Sequence, residues 1–386
     1  MKVLVVGAGM YVCGKNTKGL GTIVPTLIQS QKQNLIREIL IAATSKSSCD
    51  QAKIKISECE NLMGYKSNIS FFPSTGIDEL AYLKAAELCQ AGDIAIISTP
   101  DETHFSIAQD LIKKGLHLLV VKPLAPTLNE VKHLTNMAKE YGCYGAVEFH
   151  KRFDRSNLKL KEYVQSKIGD VLYFVVEYSQ RKEIPEINFR SWAETTNIFQ
   201  YLGIHYVDVI YFATGAVPKR AMATGQKNYL SQKGINSFDA IQATIEWQLN
   251  NKVFVSTIIT NWIDPQNSTA MSDQRIKVIG TTGRFEADQK DRGLFFVSDD
   301  QKSENINPDF CQFYLNSDGT KTIEGYGVES IKTFIFDVHN INQKKISLAQ
   351  LERQRPTFSH SNIPVAVVEA VNQSLLEKSS WIEIKL

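Results

Sequence analysis

The chain has 386 residues, 43% of them apolar, and its 43 Lys and Arg against 41 Asp and Glu leave a net charge of +2. That length suits two ordinary domains, and the composition excludes a disordered or fibrous chain. The charges are well mixed with no basic run, so neither nucleic acid nor a membrane surface is expected as a partner. The six cysteines (Cys13, Cys49, Cys59, Cys89, Cys143 and Cys311) show no CxxC spacing and read as reduced thiols, and no metal ligand set is expected. The amino end opens as a strand. Only four apolar residues separate Lys2 from the first glycine, too few for a signal peptide or a membrane span, so a cytoplasmic location is expected.

In chain order, residues 2–6 predict a strand, 22–31 a helix and 36–43 a second apolar strand. Residues 77–91 predict a helix, 93–98 a buried strand, 102–114 a helix, 117–121 a strand, 127–141 a helix and 145–149 a strand. Continuously apolar strands alternating with helices predict a parallel sheet covered on both faces. Near residue 150 the pattern changes. A helix is predicted at 156–166, a long alternating strand at 171–178 and a helix at 199–213. Strand character follows at 220–224, 240–248, 254–261, 275–280, 284–287 and 293–297, then helices at 327–338 and 364–376 and a strand at 381–384. The expected fold class is α/β. A nucleotide-binding domain with a Rossmann parallel sheet spans residues 1–148. A C-terminal α+β domain with a large open, mostly antiparallel sheet spans 149–386.

Gly7-Ala8-Gly9 follows the first strand directly, with Met10 and Tyr11 after it. Glycine there lets the backbone turn tightly and approach a pyrophosphate held at a helix start. Val12 stands where a third glycine or alanine is expected, and the chain runs on to Gly19, Gly21 and Thr22 before helical periodicity begins. This reads as a lengthened phosphate loop, with Lys15 or Lys18 able to reach a phosphate. The second strand ends Thr44-Ser45-Lys46, with no Asp or Glu to take the ribose hydroxyls. Hydroxyls and a lysine suit a 2′-phosphate that a carboxylate would repel, so NADP is expected over NAD.

Further motifs follow in order: Thr99-Pro100 with His104, then Val121-Lys122-Pro123, then Phe149-His150-Lys151-Arg152-Phe153-Asp154, then Gly203-Ile204-His205-Tyr206-Val207-Asp208, and late in the chain Gly325-Tyr326-Gly327 and Arg355-Pro356-Thr357-Phe358. Together they resemble the Gfo/Idh/MocA oxidoreductases over most of the chain, with TPxxxH, EKP and GxHxxD segments in register. Val121 replaces the usual Glu of the second segment. The resemblance implies a Rossmann domain followed by an open sheet that covers the nicotinamide. It implies hydride transfer between the nicotinamide and a sugar-like alcohol or ketone (a sugar, a cyclitol or a nucleotide sugar), in a homodimer or homotetramer. Gly7, Gly9, Met10, Tyr11, Thr44, Ser45, Lys46, Thr99, Pro100, His104, Lys122 and Pro123 are then the expected cofactor contacts.

Lys122 ends a strand of the Rossmann sheet, where ligands bind, and could polarise a carbonyl or exchange a proton with a hydroxyl. His205 is the second candidate, because an imidazole titrates near neutrality and so suits acid–base work. Asp208 lies one helical turn further, to orient His205, to serve the site or only to hold the fold. Tyr201 stands where many relatives carry Asp, so a Lys–Asp–His set is not expected. Its phenol could donate to a substrate oxygen or merely pack. Arg152 and Trp192 are expected substrate contacts, while His150 and Arg190 are lesser candidates. His117, His133, His339 and His360 show no partner spacing. Two other readings stand beside a dehydrogenase: a glycosidase that uses bound NAD with no net redox change, and a non-catalytic dinucleotide-binding sensor.

Overall fold

In the computed structural model, which describes all 386 residues, the chain divides into two units. One is Met1–His150 with Phe310–Ser361, and the other is Lys151–Asp309 with Asn362–Leu386. No helix is long and apolar enough to cross a membrane.

The first unit begins with β1 (Lys2–Val6), whose Val3, Leu4 and Val5 are wholly buried. A strand apolar on both sides of its pleat needs cover on both faces. There follow α1 (Met10–Cys13), α2 (Ile23–Lys32), β2 (Glu38–Ala42), α3 (Lys46–Met63), β3 (Ile69–Phe72), α4 (Ala81–Ala86), β4 (Ile94–Ile97), α5 (His104–Lys113), β5 (His117–Val120), α6 (Leu128–Glu140) and β6 (Gly145–Val147). The six strands form the parallel sheet expected from the sequence, in the order β3-β2-β1-β4-β5-β6. The order reverses between β1 and β4. Connections leaving their carboxyl ends go opposite ways there, and that opens the crevice in which such sheets bind ligands.

Among the elements of this unit with no predicted counterpart are α3 and β3. α3 is 18 residues long, yet its buried stripe is Cys49, Ala52, Ile56, Cys59 and Met63, too small and mixed to stand out as an apolar face. β3 is only four residues and half-buried. Conversely, the helix expected over 77–91 shrinks to α4, because Asp78 turns back to take the Leu80 amide at 3.0 Å and Gly92 sits at φ +89°.

The second unit contains α7 (Arg155–Ser166), β7 (Val171–Arg181), α8 (Ile204–Thr214), β8 (Val217–Gln226), α9 (Tyr229–Gln232), β9 (Ala240–Leu249), β10 (Lys252–Asp264), β11 (Ser272–Gly280), β12 (Arg284–Asp288) and the short ladder β13 (Phe295–Phe296) with β14 (Glu304–Asn305). The chain then supplies β15 (Gln312–Leu315), β16 (Lys321–Glu324), α10 (Tyr326–Asn342) and α11 (Leu348–Gln354) to the first unit, and α12 (Asn362–Leu376) and β17 (Ile382–Glu383) to the second. The second sheet has seven strands in the order β12-β11-β7-β10-β9-β8-β17. All its pairs are antiparallel except β10 with β7. Burial alternates along β7 and β9. α12 packs against both β8 and α8, and α8 also meets α7. Lying among those elements, α8 is buried at most of its positions, which explains its apolar sequence on every side.

The stretch 310–361 is tied to the first unit by specific bonds. The Gln29 amide bridges to β16 like a strand neighbour, donating to Ile323 O at 3.1 Å and accepting the Ile323 N–H at 2.8 Å. Ile331, Phe334 and Ile335 of α10 join the core that holds Val3 and Val5. Arg355 grips Asp337 with two bonds of 2.6 and 3.1 Å.

Candidate active site

The loop after β1 is shaped by two glycines with different tasks. Gly7 has φ +116°, and a Cβ there would meet Ser98 O at 2.1 Å, so only glycine lets β1 and β4 end side by side. At Gly9 a Cβ would project into open space just before α1 begins. That is a cradle a side chain would fill, and the opening turn of the helix beside it is where backbone amides take phosphate. The residues present therefore fit a dinucleotide.

The helix start corrects one expectation. A helix does start beside Gly21 and Thr22, since α2 begins at Ile23 with Thr22 as its N-cap, but the four-residue α1 precedes it and begins at Met10, directly after Gly9. The Gly14 amide closes on Met10 O at 2.8 Å, and the next helical carbonyl, Tyr11 O, is taken by the Thr22 amide at 2.8 Å. Residues 15–21 are thus looped out between successive hydrogen bonds of the ladder. The phosphate loop is of ordinary length and is followed by an insertion. That insertion places Lys15 Nζ 3.2 Å from Ser48 Oγ, and Ser48 Oγ is itself 3.2 Å from Ser45 Oγ. Ser45 caps α3 by accepting the Ser48 amide. Thr44 is exposed beside it, Lys46 is paired with Asp50 on the outer face of α3, and Lys18 is exposed.

At the next two strand ends, buried His104 sits between loops, with Nδ1 2.7 Å from Pro123 O and Nε2 2.9 Å from Thr99 O. Both ring nitrogens face protein carbonyls, so the imidazole fastens the Thr99-Pro100 turn to the turn holding Lys122 and Pro123. Lys122 lies two residues beyond β5. Burial brings its ammonium down to about 8, against the opposing pull of Asp101 and Glu148. Glu148, just past β6, is a carboxylate that sequence reasoning missed. It is 2% exposed, and its Oε2 lies 2.8 Å from His150 Nδ1. His150 is stacked on Tyr326 and flanked by Phe310 and Tyr11, with ring centroids 5.5 to 6.2 Å away. His117 accepts the Tyr144 amide at 2.8 Å, and burial pushes it down to about 4, which makes it a neutral structural acceptor.

In the second unit, His205 lies in the first turn of α8, 3% exposed, with its ring centroid 6.5 Å from that of Tyr178. Asp208 is wholly buried and gives both oxygens to Arg152, at 2.9 Å to Nε and 2.6 Å to Nη2. That bidentate pair occupies the two side chains with each other. Asp208 is therefore the partner of Arg152, and proton transfer by Asp208 has no support in this geometry. Tyr201 sits in the turn Phe199–Gly203 among Phe189, Trp192 and Trp262, with ring centroids 5.0 to 6.0 Å away. The buried indole Nε1 of Trp262 has no hydrogen-bond partner. Arg190 donates to the carbonyls of Lys233 and Gly234 and so braces a turn. Lys151, also missed, is buried between the rings of Tyr178 and Tyr206, 4.9 Å from each, and bonds to Gln274. Burial lowers it to about 7. Its sequence neighbours gave no sign of this, because a lysine beside an arginine reads as surface.

Two family models match. Residues 1–149 match "Oxidoreductase family, NAD-binding Rossmann fold", and residues 157–286 match "GFO/IDH/MocA C-terminal domain". The rhizopine catabolism protein MocA of Rhizobium meliloti is 24% identical over 163 residues, 42% of this chain and 51% of that protein. The inositol 2-dehydrogenase of Rhizobium meliloti (strain 1021) is 22% identical over 305 residues, 78% of this chain and 83% of that protein. The chain spans about half or less of the length of the first curated relatives it matches. Among solved structures, scyllo-inositol dehydrogenase from Lactobacillus casei, with bound NAD(H) and scyllo-inositol, superposes with a TM-score of 0.65 at 17% identity, covering 100% of this chain and 99% of that one.

Proposed function

Because the chain belongs to the Gfo/Idh/MocA oxidoreductases, we propose that it is an NAD(P)-dependent dehydrogenase or reductase acting on a sugar-like alcohol or ketone, with cyclitols the first class to try. The observation that carries this reading is Lys122. It is an amine at the carboxyl edge of the Rossmann sheet, and burial brings its ionisation to about 8. Bound nicotinamide supplies the hydride donor or acceptor. Gly7 and Gly9 with the opening turn of α1 hold the pyrophosphate, and the turns at Thr99 and Lys122, fastened together by His104, frame the nicotinamide end.

Lys122 donates a hydrogen bond to the reacting oxygen and carries its proton, with His205 as the second proton carrier. In the second unit, the aromatic side chains around Tyr201 and the unpartnered donor of Trp262 suit a substrate with apolar ring faces and hydroxyl acceptors. The relatives named for inositol support the same class. The half-exposed face of the second sheet suits a homo-oligomer.

NADP is the preferred cofactor in this reading. No carboxylate stands at the end of β2, and Lys15, Ser45 and Ser48 meet there. Fluorescence titration with NADPH and NADH tests it: NADPH should bind more tightly. Lys15→Ala should weaken NADPH about tenfold, the loss expected for one charge-assisted contact, and leave NADH unchanged. Tighter NADH binding by the unaltered chain would remove the 2′-phosphate argument.

A further inference from the structure

Lys151 is a buried lysine whose ammonium meets only neutral partners. It bonds to the side-chain oxygen of Gln274 and lies 4.9 Å from the ring centroids of both Tyr178 and Tyr206. A charge shut away without a counter-charge is costly, and a methionine would fill the same space at less cost. The charge itself therefore calls for an explanation, and its surroundings supply one. Tyr178 of β7 and Gln274 of β11 are cross-strand partners on the buried face of the sheet. The rings of Tyr178 and Tyr206 meet edge to face, with centroids 5.6 Å apart. Tyr206 bonds through its hydroxyl to Gln289, whose amide donates to Ser156 Oγ and Asn157 Oδ1 at 2.8 Å each. Asn157 in turn donates to Lys151 O at 2.9 Å. These contacts close around the ammonium, and all of them lie in the second unit. His205 precedes Tyr206 on α8, and its ring centroid is 6.5 Å from that of Tyr178. The ammonium and the imidazole thus have one ring as a common neighbour. The two distances to that ring, 4.9 and 6.5 Å, together limit their separation to about 11 Å.

The other charges nearby are matched among themselves. Asp154 and Arg292, whose fields reach Lys151, pair with each other at 2.7 Å. Asp208, one turn beyond His205, gives both oxygens to Arg152. Burial holds the Tyr178 phenol well above its usual range, so that ring stays neutral. We propose that Lys151 is a positioning residue for His205: its ammonium, gripped by the faces of Tyr178 and Tyr206, holds the ring beside which the imidazole packs and disfavours the imidazolium. His205 is thereby kept ready to accept a proton from a substrate hydroxyl. Lys151 takes its own proton at about 7, against about 6.5 for an ordinary imidazole, so as pH falls the ammonium is in place before His205 titrates. Removing the ammonium lets His205 take its proton at higher pH. This role rests on His205 being a proton carrier, while its test needs no turnover.

The test is a pH titration of the full, nucleotide-free chain carrying isotope-labelled histidine, followed by NMR, with the His205 resonance assigned by its loss in His205→Gln. Lys151→Met removes the charge and nearly keeps the shape. It should raise the His205 midpoint by roughly one unit, a tenfold change, as expected for a unit charge at that separation and an effective dielectric constant of about 20. Lys151→Arg keeps a cation at every pH and should leave the midpoint close to that of the unaltered chain. An unchanged midpoint in folded Lys151→Met overturns the proposal. So does an equal rise in Lys151→Arg, which would make shape and not charge the cause. If Lys151→Met does not fold, Lys151→Gln takes its place and the same outcomes decide. A raised midpoint alongside full activity of His205→Ala would leave this inference standing and remove the catalytic role of His205.

Discussion

In the proposed function, the proton on Lys122 sets the direction of the chemistry. Its ammonium falls to about 8 because burial strips its hydration, and Asp101 and Glu148 only partly restore the charged form. The sign follows directly. Below about 8 the group is an ammonium able to donate to a carbonyl oxygen, and above it a neutral amine able to accept. Reduction should therefore fall as pH rises through about 8 and oxidation should rise, as rate–pH profiles in both directions would show. Equal slopes in both directions would contradict the assignment. Asp208 makes the opposite case. With both oxygens on Arg152, Asp208→Asn should cost about 3–5 kcal/mol of stability by stranding a buried guanidinium, measured by urea unfolding. A variant of native stability and strongly reduced kcat would return Asp208 to the chemistry. At this scale the sequence offers a residue as a candidate where its type and its motif coincide, as at Lys122 and His205. The surroundings of Glu148 and Lys151 and the Lys15–Ser48 contact were not legible, because each depends on a neighbour distant in the chain.

Among the elements, strands and amphipathic helices were legible wherever the apolar residues were large. β4 is apolar throughout, β1 is so after Lys2 and β5 after His117, and α5 and α6 carry Ile, Leu and Val at helical spacing. α3 escaped because its stripe mixes Cys and Ala with a single Ile and Met. The insertion at 15–21 misled because looped-out residues interrupt the periodicity of a helix that hydrogen bonding resumes at Thr22. Glycine again marks close approach: a Cβ on Gly145 in β6 would lie 2.6 Å from the ring of Phe358. Gly145→Ala should destabilise by about 1–3 kcal/mol through overpacking, measured as a lowered denaturant midpoint. No loss would mean that Phe358 moves freely and that the 310–361 stretch is loosely held at that point.

Across the whole molecule, the change from alternating to successive strands near residue 150 is visible in the sequence, since βαβ and antiparallel regions differ in rhythm. The return of Phe310–Ser361 to the first unit is not. Its apolar residues on α10 have the same pattern whichever core receives them, and contacts between residues far apart in the chain, such as the Gln29–Ile323, Tyr144–Asp337 and Val147–Pro356 bonds, identify the recipient. Family membership rests on both family models together, while the substrate rests on chemistry still to be measured. The most direct measurement is absorbance at ~340 nm, the reduced-nicotinamide band, with NADP and NAD against a panel of inositols and sugars, for the unaltered chain and Lys122→Met. Reduction of the nucleotide with at least one polyol is expected. Lys122→Met should lose about 10²–10⁴-fold in kcat, with NADPH binding largely retained. Full activity in Lys122→Met, or no binding of either nucleotide by the unaltered chain, would contradict it.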